Sequence, residues 1–236
     1  VRVLVVENGG PSPPVRAVWG SFTQWFADRL PQRVVVESHD AREGLPEPAL
    51  LPCHGVILSG SVHDVGDGLP WTRPIGPWAL AVAQRLPVLA VCFGHQLVAE
   101  SLGSAVGRMA AGPERGGIGV RLTAAGRADP LFAGLPEVVH VHSSHRDEVR
   151  GLPPGARLLG GTAHSPVQAF AWGPRLRAVQ FHPEFAPGPM AAILDHYGAV
   201  GPGRPRVWDN DHGQQILGNW LRSWVRPVAS GGEGAG

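Results

Sequence analysis

Cys92 stands in "LAVCFGHQLVAE" (89–100), where an apolar run ending at Val91 meets a thiol, a glycine two residues later and a new amphipathic pattern. A thiol between a strand and a helix faces the helix N-terminal amides, which with the macrodipole favour a thiolate and later an oxyanion. A buried structural cysteine fits that local stretch as well. A thiol nucleophile wants a histidine base and a third group that orients it. Of the eleven histidines, His182 stands out, because "LRAVQFHPEF" (176–185) is an apolar strand that stops abruptly at His-Pro-Glu. Pro183 ends the ladder and fixes the chain, so His182 and Glu184 fall close together at one strand terminus. Together the three residue types suit attack by sulfur on a carbonyl carbon with acid–base help from imidazole.

Such a trio needs strands that deliver it to one edge. "VRVLVVE" (1–7) is β-rich and apolar on both faces, as in a buried parallel strand. Residues 13–30 carry apolar side chains at helical spacing, and "RVVVES" (33–38) and "HGVILSG" (54–60) read as the next two strands. A helix over 74–86, a strand over 87–92 and a helix over 94–103, closed by Gly103, follow. This alternation predicts an α/β fold with a mostly parallel central sheet flanked by helices, and in such sheets sites form at the carboxyl ends of strands. After Gly103 the texture shifts to "IGVRLT" (118–123), "VVHVHS" (138–143), "VQAFAW" (167–172) and "LRAVQF" (176–181), with late helices near 187–198 and 212–225. No internal repeat or long linker divides the chain. The expectation is one domain over 1–228 with a disordered low-complexity tail at 229–236.

Composition removes several classes. The 236 residues hold 43% hydrophobic and 17% charged residues, enough for one sizeable core. The net charge is +1 and every basic residue is a scattered arginine, so no nucleic-acid footprint is expected. Without lysine there is no P-loop lysine and no Schiff base. "ENGGPSPP" (7–14) lacks the G-x-G-x-x-G fingerprint, which argues against a dinucleotide. Two cysteines form no disulfide framework, no leader precedes the first strand, and no apolar run reaches membrane-span length, so a cytoplasmic setting is expected. Cys53, in "LPCHG", reads as structural. His140, His142 and His145 lack a cysteine or carboxylate that would complete a tetrahedral set, so no metal and no cofactor is expected. Trp19, Trp25, Trp220 and Trp224 recur at helical spacing and read as core. The polar stretch "VHDVGDG" (62–68) reads as a turn that could border the site.

"AVCFGHQ" (90–96) and "VQFHPEF" (179–185), in this order and about ninety residues apart, resemble the class I glutamine amidotransferase domain. That family's elbow is G-x-C-x-G-x-Q and its partner motif F-H-P-E. The similarity extends through "ILSGS" (57–61), "HSSHRDEV" (142–149) and "SPVQAFAWG" (165–173), covering most of residues 1–185. The resemblance implies a flavodoxin-like fold and a Cys92–His182–Glu184 triad. It further implies an oxyanion hole from the Gly60 and Phe93 amides, with Ser61, Gln96, Ser144, His145 and Arg146 about the substrate. Cys92 would attack the side-chain amide of glutamine, His182 would pass its proton to departing ammonia, and water would release glutamate from the thioester. Two positions depart from the pattern. Ala90 replaces the first elbow glycine, and Arg146 stands where the family often has a small or polar residue. About fifty residues follow Glu184, too few for a synthetase domain. Ammonia is therefore expected either to pass to a separate synthetase or to be no product at all, the chain acting as a γ-glutamyl peptidase. Arg146 would then pair a carboxylate of a larger substrate. A non-catalytic glutamine-binding regulatory module is the reading of a different class.

Overall fold

The computed structural model describes residues 1–199, 201, 203–209 and 211–225, so the tail expected at 229–236 lies outside it. The first half of the chain runs β1 (Arg2–Glu7), α1 (Pro13–Trp19), α2 (Phe22–Arg29), β2 (Val35–Asp40), β3 (Gly55–Leu58), α3 (Ile75–Val82), β4 (Val88–Val91) and α4 (Phe93–Ser101). The second half runs β5 (Val106–Arg108), β6 (Glu114–Leu122), α5 (Ala124–Ala128), β7 (Val138–His145), β8 (Asp147–Val149), β9 (Ala156–Gly161), β10 (Ala169–Trp172), β11 (Leu176–Val179), α6 (Pro187–His196) and α7 (Gly213–Trp224).

Nine strands make one sheet in the order β2-β1-β3-β4-β11-β10-β9-β6-β7, and β5 pairs with β8 apart from it. From β2 to β11 every neighbour is parallel. From β11 to β7 every neighbour is antiparallel. The order places β3, β4 and β11 side by side, although they lie far apart in sequence. Their carboxyl ends carry Gly60, Cys92 and His182. The expected α/β architecture with a central parallel sheet is therefore the one observed.

The alternation of side chains along each strand builds two core layers. Val3 and Val5, Leu89 and Val91 point to the face covered by Phe26, Met190 and Trp220. Leu4 and Val6, Val88 and Ala90 point to the face covered by Ile75, Trp78 and Leu97. Each large apolar side chain among these stabilises the fold by roughly 1.5–3 kcal/mol through removal from water. Arg177 on β11 is held in the layer by its Nε, which donates to both Asp129 oxygens at 3.1 and 3.0 Å.

Three local readings change. The expected helix over 13–30 breaks at Gly20, which takes φ 79°, and restarts where the Ser21 side chain accepts from the Gln24 amide. Local capping outweighs the continuous apolar pattern there. Of the four tryptophans, Trp25 and Trp220 are core, whereas Trp19 is 41% exposed. Trp224 is half-buried, its ring 4.5 Å from the Arg177 guanidinium. Short β5, β8, β9 and α5 carried too little periodicity to be read. No helix of the described residues is long and apolar enough to cross a membrane.

Candidate active site

β4 ends at Val91, and Cys92 turns the chain into α4 with φ 51° and ψ −101°. It is the only non-glycine residue with positive φ among those described. Such backbone strain survives only where the surroundings impose it. The Cys92 amide donates to the Val179 carbonyl at 2.8 Å, its carbonyl accepts from the Gln96 amide at 3.0 Å, and the Gly94 amide donates to the Ser59 carbonyl at 3.3 Å. Gly94 is required, since a Cβ there would stand 2.6 Å from the Leu58 Cβ and 3.1 Å from the Leu58 carbonyl oxygen. The Cys92 sulfur is thereby presented at the start of α4, with the Ser144 carbonyl 4.0 Å away. Ala90, the departure from the elbow pattern, is fully buried within β4 and leaves the turn intact.

Beyond β11, the His182 amide donates to the His142 carbonyl at 2.8 Å, which fixes the strand end. The His182 Nδ1 lies 2.7 Å from a Glu184 carboxylate oxygen, and both side chains are buried. This leaves Nε2 for the thiol. The imidazole is stacked against Phe185, ring centroids 3.7 Å apart and 8° between planes. Burial works against a charge on His182, but Glu184 and then Cys92 outweigh it and hold the imidazolium up to about 10.

Gly60 touches both groups: a Cβ there would lie 2.6 Å from the His182 Cε1 and 3.6 Å from the Cys92 Cβ. Its loop is held from β1. The Asn8 amide donates to the Ser59 hydroxyl at 3.0 Å, the Asn8 side chain donates to the Ser59 carbonyl at 2.7 Å, and Gly10 bridges Ser61. The stretch after β1, which reads in the sequence only as a failed dinucleotide fingerprint, thus braces the Gly60 turn.

Two clefts open at this edge, sharing Ser61, Val62, Ser144 and Tyr197 as a common wall. The first is a shallow cleft that reaches Cys92, Phe93, Gln96 and Arg146. Gln96 is buried and donates to the Asp147 carbonyl at 2.9 Å and to Gln180 at 3.2 Å, so it shapes the wall. His145 braces the same loop, its Nε2 2.9 Å from Glu114 and its Nδ1 2.8 Å from the Asp147 carbonyl. Glu114 also accepts from Thr162 and Gln168. Burial works against its charge, but these donors, His145 foremost, hold its carboxyl below the usual range. Arg146, expected to await a substrate carboxylate, is already paired with Asp64 at 3.0 Å and donates to the Val62 carbonyl at 3.3 Å. Asp64 also binds Arg108 at 2.7 Å, so the 62–68 loop is tied to the site's rim.

The cation that faces the first cleft without an internal counter-ion is Arg115. Among the described residues no carboxylate pairs with it, its Nε is buried without a partner, and burial pushes its guanidinium down. Its guanidinium lies 4.0 Å from the Tyr197 ring centroid. Neither residue stands out in the sequence. Arg115 reaches the site because β6 pairs it with Ser144, a register that no local motif announces.

Cys53 lies apart in the approach to β3, half-buried, and burial pushes its thiol up. His142 is engaged by backbone, its Nδ1 2.7 Å from the Phe185 carbonyl and its Nε2 accepting from the Trp208 amide at 2.9 Å. His140 stacks on Trp208 at 4.3 Å. Among the described residues no three histidine, cysteine or carboxylate side chains converge as a metal-holding group.

Residues 19–197 match the family model described as glutamine amidotransferase class-I. The chain is 33% identical over 186 residues to a glutamine-hydrolyzing GMP synthase subunit of Halobacterium salinarum, covering 78% of this chain and 90% of that protein. It is 37% identical over 140 residues to a glutamine-hydrolyzing GMP synthase of Thermomicrobium roseum, covering 59% of this chain but 25% of that protein. The chain thus spans about a quarter of the length of such longer relatives. The fold is shared with a glutamine amidotransferase of Methylobacillus flagellatus, at TM-score 0.73 and 20% identity over 97% of both chains. A glutamine amidotransferase of Thermotoga maritima superposes at TM-score 0.72 and 19% identity, over 96% of this chain and 99% of that one.

Proposed function

This chain belongs to the class-I glutamine amidotransferase family, and from that premise we propose that it hydrolyses the side-chain amide of glutamine or of a γ-glutamyl compound. Cys92 is the nucleophile, His182 the acid–base and Glu184 the group that orients the imidazole. The observation that carries this reading is the strained Cys92 turn at the head of α4, beside a buried His182–Glu184 pair.

The chemistry follows from those positions. Sulfur adds to the amide carbon, and the oxygen that becomes anionic is met by the Phe93 and Gly60 amides. Each such donor is worth about 3 kcal/mol in comparable sites. The imidazolium of His182 gives its Nε2 proton to the nitrogen as the carbon–nitrogen bond breaks. Water then attacks the thioester, His182 takes its proton, and glutamate leaves with the thiolate restored. The glutamyl α-carboxylate is held by Arg115, which has the unpaired charge that Arg146 lacks. We read the chain as a single domain, with any synthetase that receives ammonia a separate partner. The Halobacterium salinarum relative, named as one subunit of a GMP synthase and similar to this chain over nearly all its length, supports that arrangement.

The test is release of ammonia or amine from glutamine and γ-glutamyl amides by wild type and by Cys92→Ala, with alkylation mapped in parallel. Turnover by wild type alone, with Cys92 modified faster than Cys53, is the expected result. If nothing is hydrolysed but glutamine raises the Tm, the chain is a binding module.

A further inference from the structure

Beyond β11 the turn His182-Pro183-Glu184-Phe185 carries both the base and the group that orients it. Glu184 has little besides that turn to aim it. One carboxylate oxygen meets the His182 Nδ1 at 2.7 Å, and the other is buried without a partner among the described residues. The His182 ring rests face to face on Phe185, and the Phe185 amide donates to the His182 carbonyl at 3.3 Å, which closes the turn. Both ends of the closed turn are bound by one residue of β7. The His142 carbonyl accepts from the His182 amide at 2.8 Å, and the His142 Nδ1 lies 2.7 Å from the Phe185 carbonyl. The second bond depends on the far side of the ring. A backbone N–H can only donate, so the Trp208 amide, 2.9 Å from the His142 Nε2, makes that nitrogen an acceptor. The proton of the neutral imidazole then sits on Nδ1 and is donated to the Phe185 carbonyl. Burial, which pushes His142 down, favours that neutral form. Trp208 comes this near because residues 204–209 lie close over the glycines of β6. The Gly117 amide donates to the Arg206 carbonyl at 2.5 Å, and a Cβ on Gly117 would stand 2.5 Å from the Trp208 Nε1.

We propose that His142 is a positioning residue for the hydrolysis: held in one tautomer by the Trp208 amide, its ring fixes the turn from His182 to Phe185 and so aims the imidazole at Cys92. The inference rests on the hydrolase reading above and adds a residue to its machinery. His142 is fully buried and lines neither cleft, so it acts through the turn and not on the substrate. Without the bond from Nδ1, Phe185 is free to shift, and the His182 ring stacked on it shifts with it. Misplacement of a reacting group by about 1 Å costs roughly 100-fold in turnover. The glutamyl end is bound by other residues, so the loss falls on kcat and not on KM.

The experiment measures kcat and KM on glutamine and on γ-glutamyl methylamide, with urea unfolding alongside, for wild type, His142→Asn, His142→Gln and His142→Leu. The Asn amide reaches the place of Nδ1, so it keeps a donor for the Phe185 carbonyl and leaves the Trp208 amide unpaired. The Gln amide reaches the place of Nε2, so it keeps an acceptor for Trp208 and leaves Phe185 unpaired. Leu pairs neither. All three variants are expected to unfold at lower urea, since each strands a buried polar group. In His142→Asn kcat is expected to stay within about threefold of wild type, whereas in His142→Gln and His142→Leu it falls at least about tenfold. KM is expected to stay within about threefold throughout. If His142→Leu does not fold, the Asn and Gln variants decide between them. A kcat in His142→Gln as high as in His142→Asn, or a loss that falls on KM, would overturn the positioning role and leave the hydrolase reading standing. Silence of wild type on both substrates overturns both.

Discussion

At the scale of single residues, the proposed reaction makes the pairing of two arginines the feature that selects which of them meets the substrate's carboxylate. Arg146 lies in the expected pocket loop, yet Asp64 at 3.0 Å already neutralises it. Arg115 is the guanidinium that burial holds below its usual range, with a buried Nε lacking a partner. A charge in that state gains most from an anion that enters the cleft, and a charge-assisted hydrogen bond is worth about 1.5–3 kcal/mol. Arg115→Met is therefore expected to raise KM for a γ-glutamyl substrate about 10- to 100-fold while kcat moves little. Arg146→Met is expected to do less, acting through the Asp64 loop. Steady-state kinetics of the two variants decides between them. If Arg146→Met has the larger effect on KM, the assignment of the carboxylate to Arg115 is wrong.

At the scale of elements, the reactive edge is a junction of three parallel strands that share tight turns. The β4–α4 elbow works because α4 approaches β3 closely enough that Gly94 contacts Leu58. A methyl group at Gly94 would be 2.6 Å from the Leu58 Cβ. Gly94→Ala must displace either α4 or β3, with an overpacking cost of about 1–3 kcal/mol. The same displacement moves Cys92 from the Gly60 turn and from His182. Urea unfolding should show a lower midpoint, and turnover should fall far more than the lost stability accounts for, since misplacement of about 1 Å costs roughly 100-fold. Wild-type turnover in Gly94→Ala would sink this account of the elbow.

At the scale of the whole molecule, buried histidines set how the fold answers to pH. His95, on the inner face of α4, is wholly buried with neither ring nitrogen partnered. Burial, reinforced by the His145 charge, pushes it down to about 3. Burial also pushes His142 and His212 down. A histidine with a depressed value binds fewer protons in the folded chain than in the unfolded one. Its contribution is therefore complete above the unfolded value near 6.5 and is lost as pH falls from there toward 3. For His95 alone the loss at pH 5 is about 2 kcal/mol. His182 has the opposite sign. Its contribution is complete below 6.5 and is lost as pH rises through about 10. Chemical denaturation from pH 4 to 9 should accordingly give a stability maximum near neutrality, with a shallower acid limb in His95→Leu. An acid limb of unchanged slope in that variant would show that His95 is not among the groups responsible.

By itself the amino-acid sequence determined the alternating α/β order, the strand-to-helix step at Cys92 and the strand end at His182. Those features are local. They follow from apolar runs, glycine and proline at fixed offsets, and residue types whose chemistry is specific at short spacing. The family followed from the same stretches, and the match over residues 19–197 agrees with it. Tertiary structure decided what depends on pairing between distant segments. The sheet order that sets β3, β4 and β11 side by side, the register that carries Arg115 to Ser144, and the Asp64 contact that occupies Arg146 span tens of residues. None of these leaves a periodic trace in sequence, because each is selected by the packing of whole elements rather than by the backbone preferences of any one of them. The small cleft beside His182 belongs to the same class. Phe22, Phe185, Ile193 and Tyr197 each read locally as ordinary helix or loop residues, and only the packing of α2 and α6 beside the β11 terminus makes them one surface.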